Sequence, residues 1–212
     1  MRAITKMPEP TNLTQHRNAS HSNYDNYQEK DELRQALVQE QLGLCCYCLE
    51  RIQPDISSIK IEHWKCQDSY PNEQLDYDNL LGACKGGEGK PYYLQHCDTR
   101  KGNKDLKWNP ANPGHAIEAR IFYKPDGTIA SDDSDFNEQL NEVLNLNLQI
   151  IKNNRRSILL AIIEWWKKEK SKLQGPVPPQ RILNKINKYA CGNGHLAPYS
   201  PVAVWWLKKK LR

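Results

Sequence analysis

No apolar run in the 212 residues approaches the roughly 18 needed to cross a bilayer. The opening residues also have no apolar core of the kind a secretory leader carries, so a soluble, cytoplasmic protein without membrane contact is expected. A mean hydropathy of −0.81 and 26% charged residues agree with that. No internal repeat occurs, which excludes stacked-repeat architectures. Seven cysteines cannot all pair, and their spacing is that of metal ligands, so a reducing compartment is expected rather than a disulfide framework. Acidic residues nearly vanish after position 149. Residues 150–212 hold fourteen Lys and Arg against two Asp and Glu, a net of +12, which leaves −7 for residues 1–149 and +5 for the whole chain.

What is present is concentrated between Cys45 and Asp105. Zinc takes four soft ligands tetrahedrally, and a C-x2-C turn supplies two thiolates from one knuckle. Cys45 and Cys48 form such a pair. Cys84 and Cys97 are assigned as the second pair, separated by a Gly- and Tyr-rich insert, Lys85 to His96. Loop closure costs only slowly more with length, so a hairpin-like excursion can return both ends to one metal. His96 is a lesser candidate for the fourth ligand. Cys46 and Cys66 read as packing residues, and scattered buried thiols are the bland alternative for all of them.

Between and beside these cysteines lie Glu62, His63 and Asp98. Metal-dependent phosphodiester hydrolysis needs a cation on the scissile phosphate and a neutral imidazole to take a proton from water. Hard oxygen ligands suit magnesium or manganese, and Glu62 and Asp98 can supply them while His63 supplies the imidazole. Neighbours on a strand point to opposite faces, so Glu62 and His63 can share a phosphate only where the strand ends or twists. The polar run Lys65 to Asn72 supports such an ending.

Taken in order, C-x2-C, Glu62-His63, Asn79-Leu80, Cys84 and Cys97-Asp98-Thr99-Arg100-Lys101-Gly102-Asn103 resemble the HNH endonuclease motif. That resemblance implies a ββα-metal hairpin and helix pinned by a zinc knuckle. It makes Glu62 a metal ligand, His63 the general base, Asn79 a brace that orients His63, and Asp98 the second metal ligand. Three departures stand out: Glu62 where Asp is usual, Asp98 where Asn or His is usual, and a wide gap between the last two cysteines. More of the chain is similar to HNH proteins of retron and Septu antiphage systems, of the PtuB type. The segments involved are Pro8 to Leu13, Lys30 to Leu37, Gly43 to Cys48, Asn79 to Cys84 and Trp108-Asn109-Pro110. This likeness implies an ATPase partner and a role in defence against phage.

An α+β protein is expected, with residues 1–28 an extended arm, 29–108 the nuclease core and 109–212 a hairpin with a basic helical region. Leu33, Ala36 and Leu37 predict a helix that Gly43 stops, and Ile59 and Ile61 predict the strand that delivers Glu62 and His63. Pro125-Asp126-Gly127 predicts a hairpin turn. Asp135 with Glu138 reads as the cap of one long helix, striped by Leu140, Leu144, Leu148, Ile151, Ile158, Ile162 and Trp165 or Trp166. Lys101, Arg155, Arg156, Lys167 and Lys168 are candidate phosphate contacts, with a solvated helix face as the alternative. Trp165, Trp166, Trp205 and Trp206 are either core aromatics, base-stacking platforms or docking anchors for the ATPase. Cys191 to His195 reads as a loop.

The expected function is endonuclease cleavage of nucleic acid, DNA ahead of RNA because HNH relatives mostly cut DNA. The alternatives are a non-catalytic zinc-dependent binding or adaptor module, an RNA-directed nuclease, or a stand-alone restriction-type or homing nuclease. The last needs a sequence reader, and no helix-turn-helix or similar element is recognisable.

Overall fold

In the computed structural model, residues 1–190 and 194–211 are described. The Cys191–His195 loop reading therefore falls largely outside the described residues. The first 28 residues are not an extended arm. Helix α1, Thr11–Arg17, buries Leu13 completely, and Met1, Ile4 and Tyr27 are buried as well. A two-turn helix that needs one apolar residue leaves no periodicity to read. Its approach to the body is fixed by a buried network: Lys6 Nζ donates to Glu40 (2.6 Å) and to the Leu80 carbonyl (2.9 Å), and Tyr77 donates to Glu40 (2.7 Å).

Helix α2, Lys30–Glu40, buries Leu33, Leu37 and Val38. It stops in a left-handed turn at Leu42 and Gly43, where φ is +73° and a Cβ would sit 2.3 Å from Arg51 Nη1. Glycine adopts that backbone most readily. The buried Gln41 side chain then pins the helix end to the sheet, donating to Gly82 O (2.7 Å) and accepting from Gly82 N (2.6 Å).

Strand β1, Ile59–His63, pairs antiparallel with β2, Leu80–Cys84, in the register Ile59↔Cys84 to His63↔Leu80. The hairpin thus has a cysteine end and a histidine end. Helix α3, Cys97–Lys101, lies against β2 and runs from the first to the second. This is a ββα unit, and with the surrounding helices it makes the protein α+β.

Beyond it come α4, Ile117–Arg120, and the short hairpin β3, Phe122–Tyr123, with β4, Ile129–Ala130. The hairpin falls at Pro125-Asp126-Gly127 as expected. The long helix does not follow. Asp133, rather than Asp135, caps α5, Ser134–Glu138, by accepting from Phe136 N. One π-helical stretch, Gln139–Val143, follows, and the chain breaks at Asn145, φ +49°, before α6, Gln149–Ser171. Leu140, Leu144, Leu146 and Ile151 are all buried across the break, so the apolar stripe belongs to two helices folded onto one core.

Helices α7, Pro179–Ala190, and α8, Ser200–Lys208, close on α6 around Ile162, Val177, Ile182, Ala203 and Leu207. The tryptophans sit at these seams. Trp166 meets Trp206 at 5.9 Å, and Trp205 meets Tyr123 at 5.2 Å. Among the described residues no helix is long and apolar enough to cross a membrane.

Candidate active site and metal centre

Cys45, Cys48, Cys84 and Cys97 converge, their sulfurs all within 4.8 Å of one another and all four side chains buried. Cys45 and Cys97 are 3.8 Å apart, and Cys48 and Cys84 3.6 Å. A tetrahedral zinc with bonds of about 2.3 Å requires sulfur–sulfur edges of about 3.8 Å. The donor set therefore fits zinc in size and in chemistry. The knuckle is shaped by Cys45 N donating to Glu50 O (2.8 Å) and by Leu49 at φ +73°. The Lys85–His96 excursion closes through His96 N to Gly86 O (2.9 Å). His96 is not one of the four; its Nδ1 lies 3.2 Å from Cys97 Sγ, the position of a hydrogen bond to a ligand. Burial raises the Cys97 thiol well above its ordinary value. Burial acts the same way on Cys45, but hydrogen bonds from Cys46, Cys48, Cys84 and Cys97 bring it well below. Cys46 and Cys66 are buried free thiols outside the cluster.

At the other end of the hairpin, β1 stops at His63. His63 is 7% exposed, and its Nε2 faces the Gln74 carbonyl at 3.0 Å. A carbonyl only accepts, so Nε2 carries the proton and Nδ1 the lone pair. Burial pushes its pKa down to about 4; the Gln74 hydrogen bond opposes this, and Lys101 and Lys30 add to it. His63 is thus a neutral imidazole with a fixed tautomer at pH 7.

Asn79 does not touch the ring. Its Oδ1 accepts from Lys65 N (2.7 Å), and its Nδ2 donates to the carbonyls of Lys65 and Glu73 (both 3.0 Å). It braces the turn after His63 to the loop whose next carbonyl, Gln74, holds the imidazole.

Glu62 is 1% exposed, accepting from Tyr47 (2.6 Å) and paired with Lys101 (2.9 Å). Asp98 pairs with Lys60 at 2.8 Å. Burial, then the hydrogen bond to Asp98, raises the Glu62 carboxyl well above its usual range. Asp98 is lowered: burial opposes this, and hydrogen bonds from Glu62 and Lys60 outweigh it. Two adjoining carboxylates form a donor set that suits a hard cation keeping most of its waters.

Two expected phosphate contacts lie elsewhere. Lys101 is fully buried, its ammonium on Glu62 and on the His63 carbonyl (3.0 Å), so it is a counter-charge inside the core. Arg155 is also buried, donating to the carbonyls of Gly127 (2.6 Å) and Leu146 (2.7 Å). It stitches α6 to the β3–β4 turn. Arg156, Lys167 and Lys168 are exposed, Lys168 pairing with Glu164 at 2.9 Å. Sequence reasoning missed Tyr47, Lys60, Gln74 and Tyr24, which meets His63 edge-on at 4.5 Å. Only Tyr47, inside the knuckle, and Lys60, on the predicted strand, had a positional signal.

A ββα hairpin with a four-cysteine cluster at one end and Glu-His at the other is consistent with an α+β HNH-like core. No family model matches the chain. Two curated proteins are similar to it. Septu protein PtuB of Bacillus thuringiensis is 30% identical over 81 residues, 38% of this chain and 28% of that protein. A retron Ec83 protein of Escherichia coli that carries the name HNH endonuclease is 30% identical over 165 residues, 60% of this chain and 64% of that protein. The chain thus spans less than two thirds of the length of either relative.

Proposed function

We propose that the protein is a metal-dependent HNH endonuclease that hydrolyses nucleic acid phosphodiesters, DNA ahead of RNA, as the effector of an antiphage system. The observation that carries this is the neutral His63, its Nε2 on Gln74 O and its Nδ1 lone pair free, beside two carboxylates. An adaptor that only bound nucleic acid would have no use for an oriented base. In this reading His63 Nδ1 takes the proton of the attacking water, and the Gln74 carbonyl holds the imidazole while it does so. Asn79 fixes the two loops that set this geometry. Lys101 keeps Glu62 in place, and Lys60 does the same for Asp98. Glu62 and Asp98 would hold magnesium or manganese, which supplies charge stabilisation at the phosphate. Zinc in the cysteine cluster is structural.

The second part of the proposal is an ATPase partner that restrains the nuclease. Support comes from the likeness to Septu and retron proteins and from the absence of a recognisable sequence reader among the described elements. The test is to express the chain alone and with the neighbouring ATPase, then offer plasmid DNA, single-stranded DNA and RNA with magnesium or manganese. Cleavage of DNA, stopped by EDTA and restored by either ion, is the expected result. Restoration by zinc alone would remove the assignment of Glu62 and Asp98 to a hard cation.

A further inference from the structure

The segment between α1 and α2 is not needed to complete the ββα unit, yet it reaches the catalytic histidine. Tyr24 meets the His63 ring at 4.5 Å between centroids with the planes at 90°. The Tyr24 backbone N–H donates to the Gln74 side chain (2.9 Å), the same residue whose carbonyl takes His63 Nε2 (3.0 Å). Tyr24 and the His63 tautomer are thus set by one residue. Lys30, the first residue of α2, places its ammonium 4.5 Å from the centre of the Tyr24 ring. The cation is two such steps from the imidazole and is only half-buried. Arg34 follows four residues later, on the same helix face as Lys30. Its buried Nε makes no hydrogen bond among the described residues, but its Nη1 is ion-paired with Asp31, so its charge is already met within the helix. Burial, opposed by Arg34, pushes the Tyr24 phenol up to about 12, so it stays neutral at pH 7.

An edge-on aromatic neighbour restrains a ring's rotation without consuming either of its nitrogens. A cation beside a general base disfavours the imidazolium that forms when the base takes its proton, a cost that an anionic substrate in the same site offsets. Lys30 adds to the downward push on His63 and has no carboxylate partner among the described residues. We propose that the stretch from Tyr24 to Lys30 forms the phosphate-facing wall of the catalytic centre, with Tyr24 a positioning residue for His63 and Lys30 the cation that meets the phosphodiester backbone. This rests on the phosphodiesterase reading above and assigns the anion-binding side of that site to the N-terminal part of the chain.

The test uses the full chain with its zinc and has two arms. In the first, a labelled 20-base-pair DNA duplex is titrated without divalent cation at several salt concentrations. Lys30→Met weakens binding about tenfold and lowers the slope of log affinity against log salt by about one, while Lys30→Arg keeps both near wild type. In the second, cleavage is followed with magnesium. Tyr24→Ala lowers kcat about tenfold or more with KM nearly unchanged, and Tyr24→Phe, which keeps the ring, recovers most of the loss. Melting temperature and zinc content show that each variant is folded. If Tyr24→Ala does not fold, the Lys30 variants decide. Wild-type affinity and salt slope in Lys30→Met would overturn the wall whatever the cleavage result. Cleavage equal in wild type and His63→Ala would instead remove the nuclease reading and leave the binding arm intact.

Discussion

At the scale of single residues, the site is held by side chains whose charge is spent inside the protein. Lys101 and Glu62 are both fully buried and 2.9 Å apart. Removing one partner of such a pair leaves an uncompensated buried charge, so Lys101→Met is expected to lower unfolding free energy by about 3 kcal/mol, measured by urea denaturation of zinc-loaded protein. A change below about 1 kcal/mol would mean that Glu62 is held mainly by Tyr47. Asn79→Ala removes three hydrogen bonds and frees the Gln74 loop. It is expected to lower kcat well before it unfolds the protein, and unaltered kcat would show that Gln74 is held without it. The four-cysteine cluster was legible from its spacing, whereas Glu62, His63, Asn79 and Asp98 were picked out by likeness to a motif and their roles stay part of the proposal. Lys101 and Arg155 were misread, because a sequence shows charge and not burial. Each is surrounded by acceptors from distant segments that no local pattern brings together.

At the scale of elements, α2, β1, β2 and the second hairpin were readable because their signals are local: an apolar face, an alternation, a Pro-Asp-Gly turn. The single long helix was not. A stripe at helical spacing survives a break when both pieces bury it on one core, and Asn145 at φ +49° turns the chain between α5 and α6. Helix α1 escaped notice because its only buried residue is Leu13. The ββα unit depends on its cluster, since four buried thiols brought together repel once ionised and are stabilised by a shared cation. Cys48→Ser is therefore expected to lose zinc and soluble protein, read by elemental analysis of the purified fraction. Folded protein with about one zinc per chain would contradict the ligand assignment. Helix α8 buries Ala203 and Leu207 against α6 and α7, and Val202 in the main core. Truncation before Pro198 should accordingly destabilise the whole helical region, seen as a lower melting temperature. A truncated chain that stays folded with its zinc but no longer co-purifies with the ATPase would make α8 a docking element instead.

At the scale of the whole molecule, a nearly neutral total hides a division of charge, −7 for residues 1–149 and +12 for 150–212. Arg156, Lys167 and Lys168 stand exposed on α6 in the basic half, with Lys168 paired to Glu164. The acidic half carries the proposed chemistry, with the Glu62 carboxyl raised and the Asp98 carboxyl lowered near a neutral histidine. The central claim is that this histidine is the general base of phosphodiester hydrolysis. It is tested most directly by single-turnover cleavage of DNA with magnesium, comparing wild type with His63→Ala of equal zinc content and melting temperature. The account predicts a rate loss of about a hundredfold or more, the usual worth of a positioned base. Cleavage at the wild-type rate by the His63→Ala protein would contradict it.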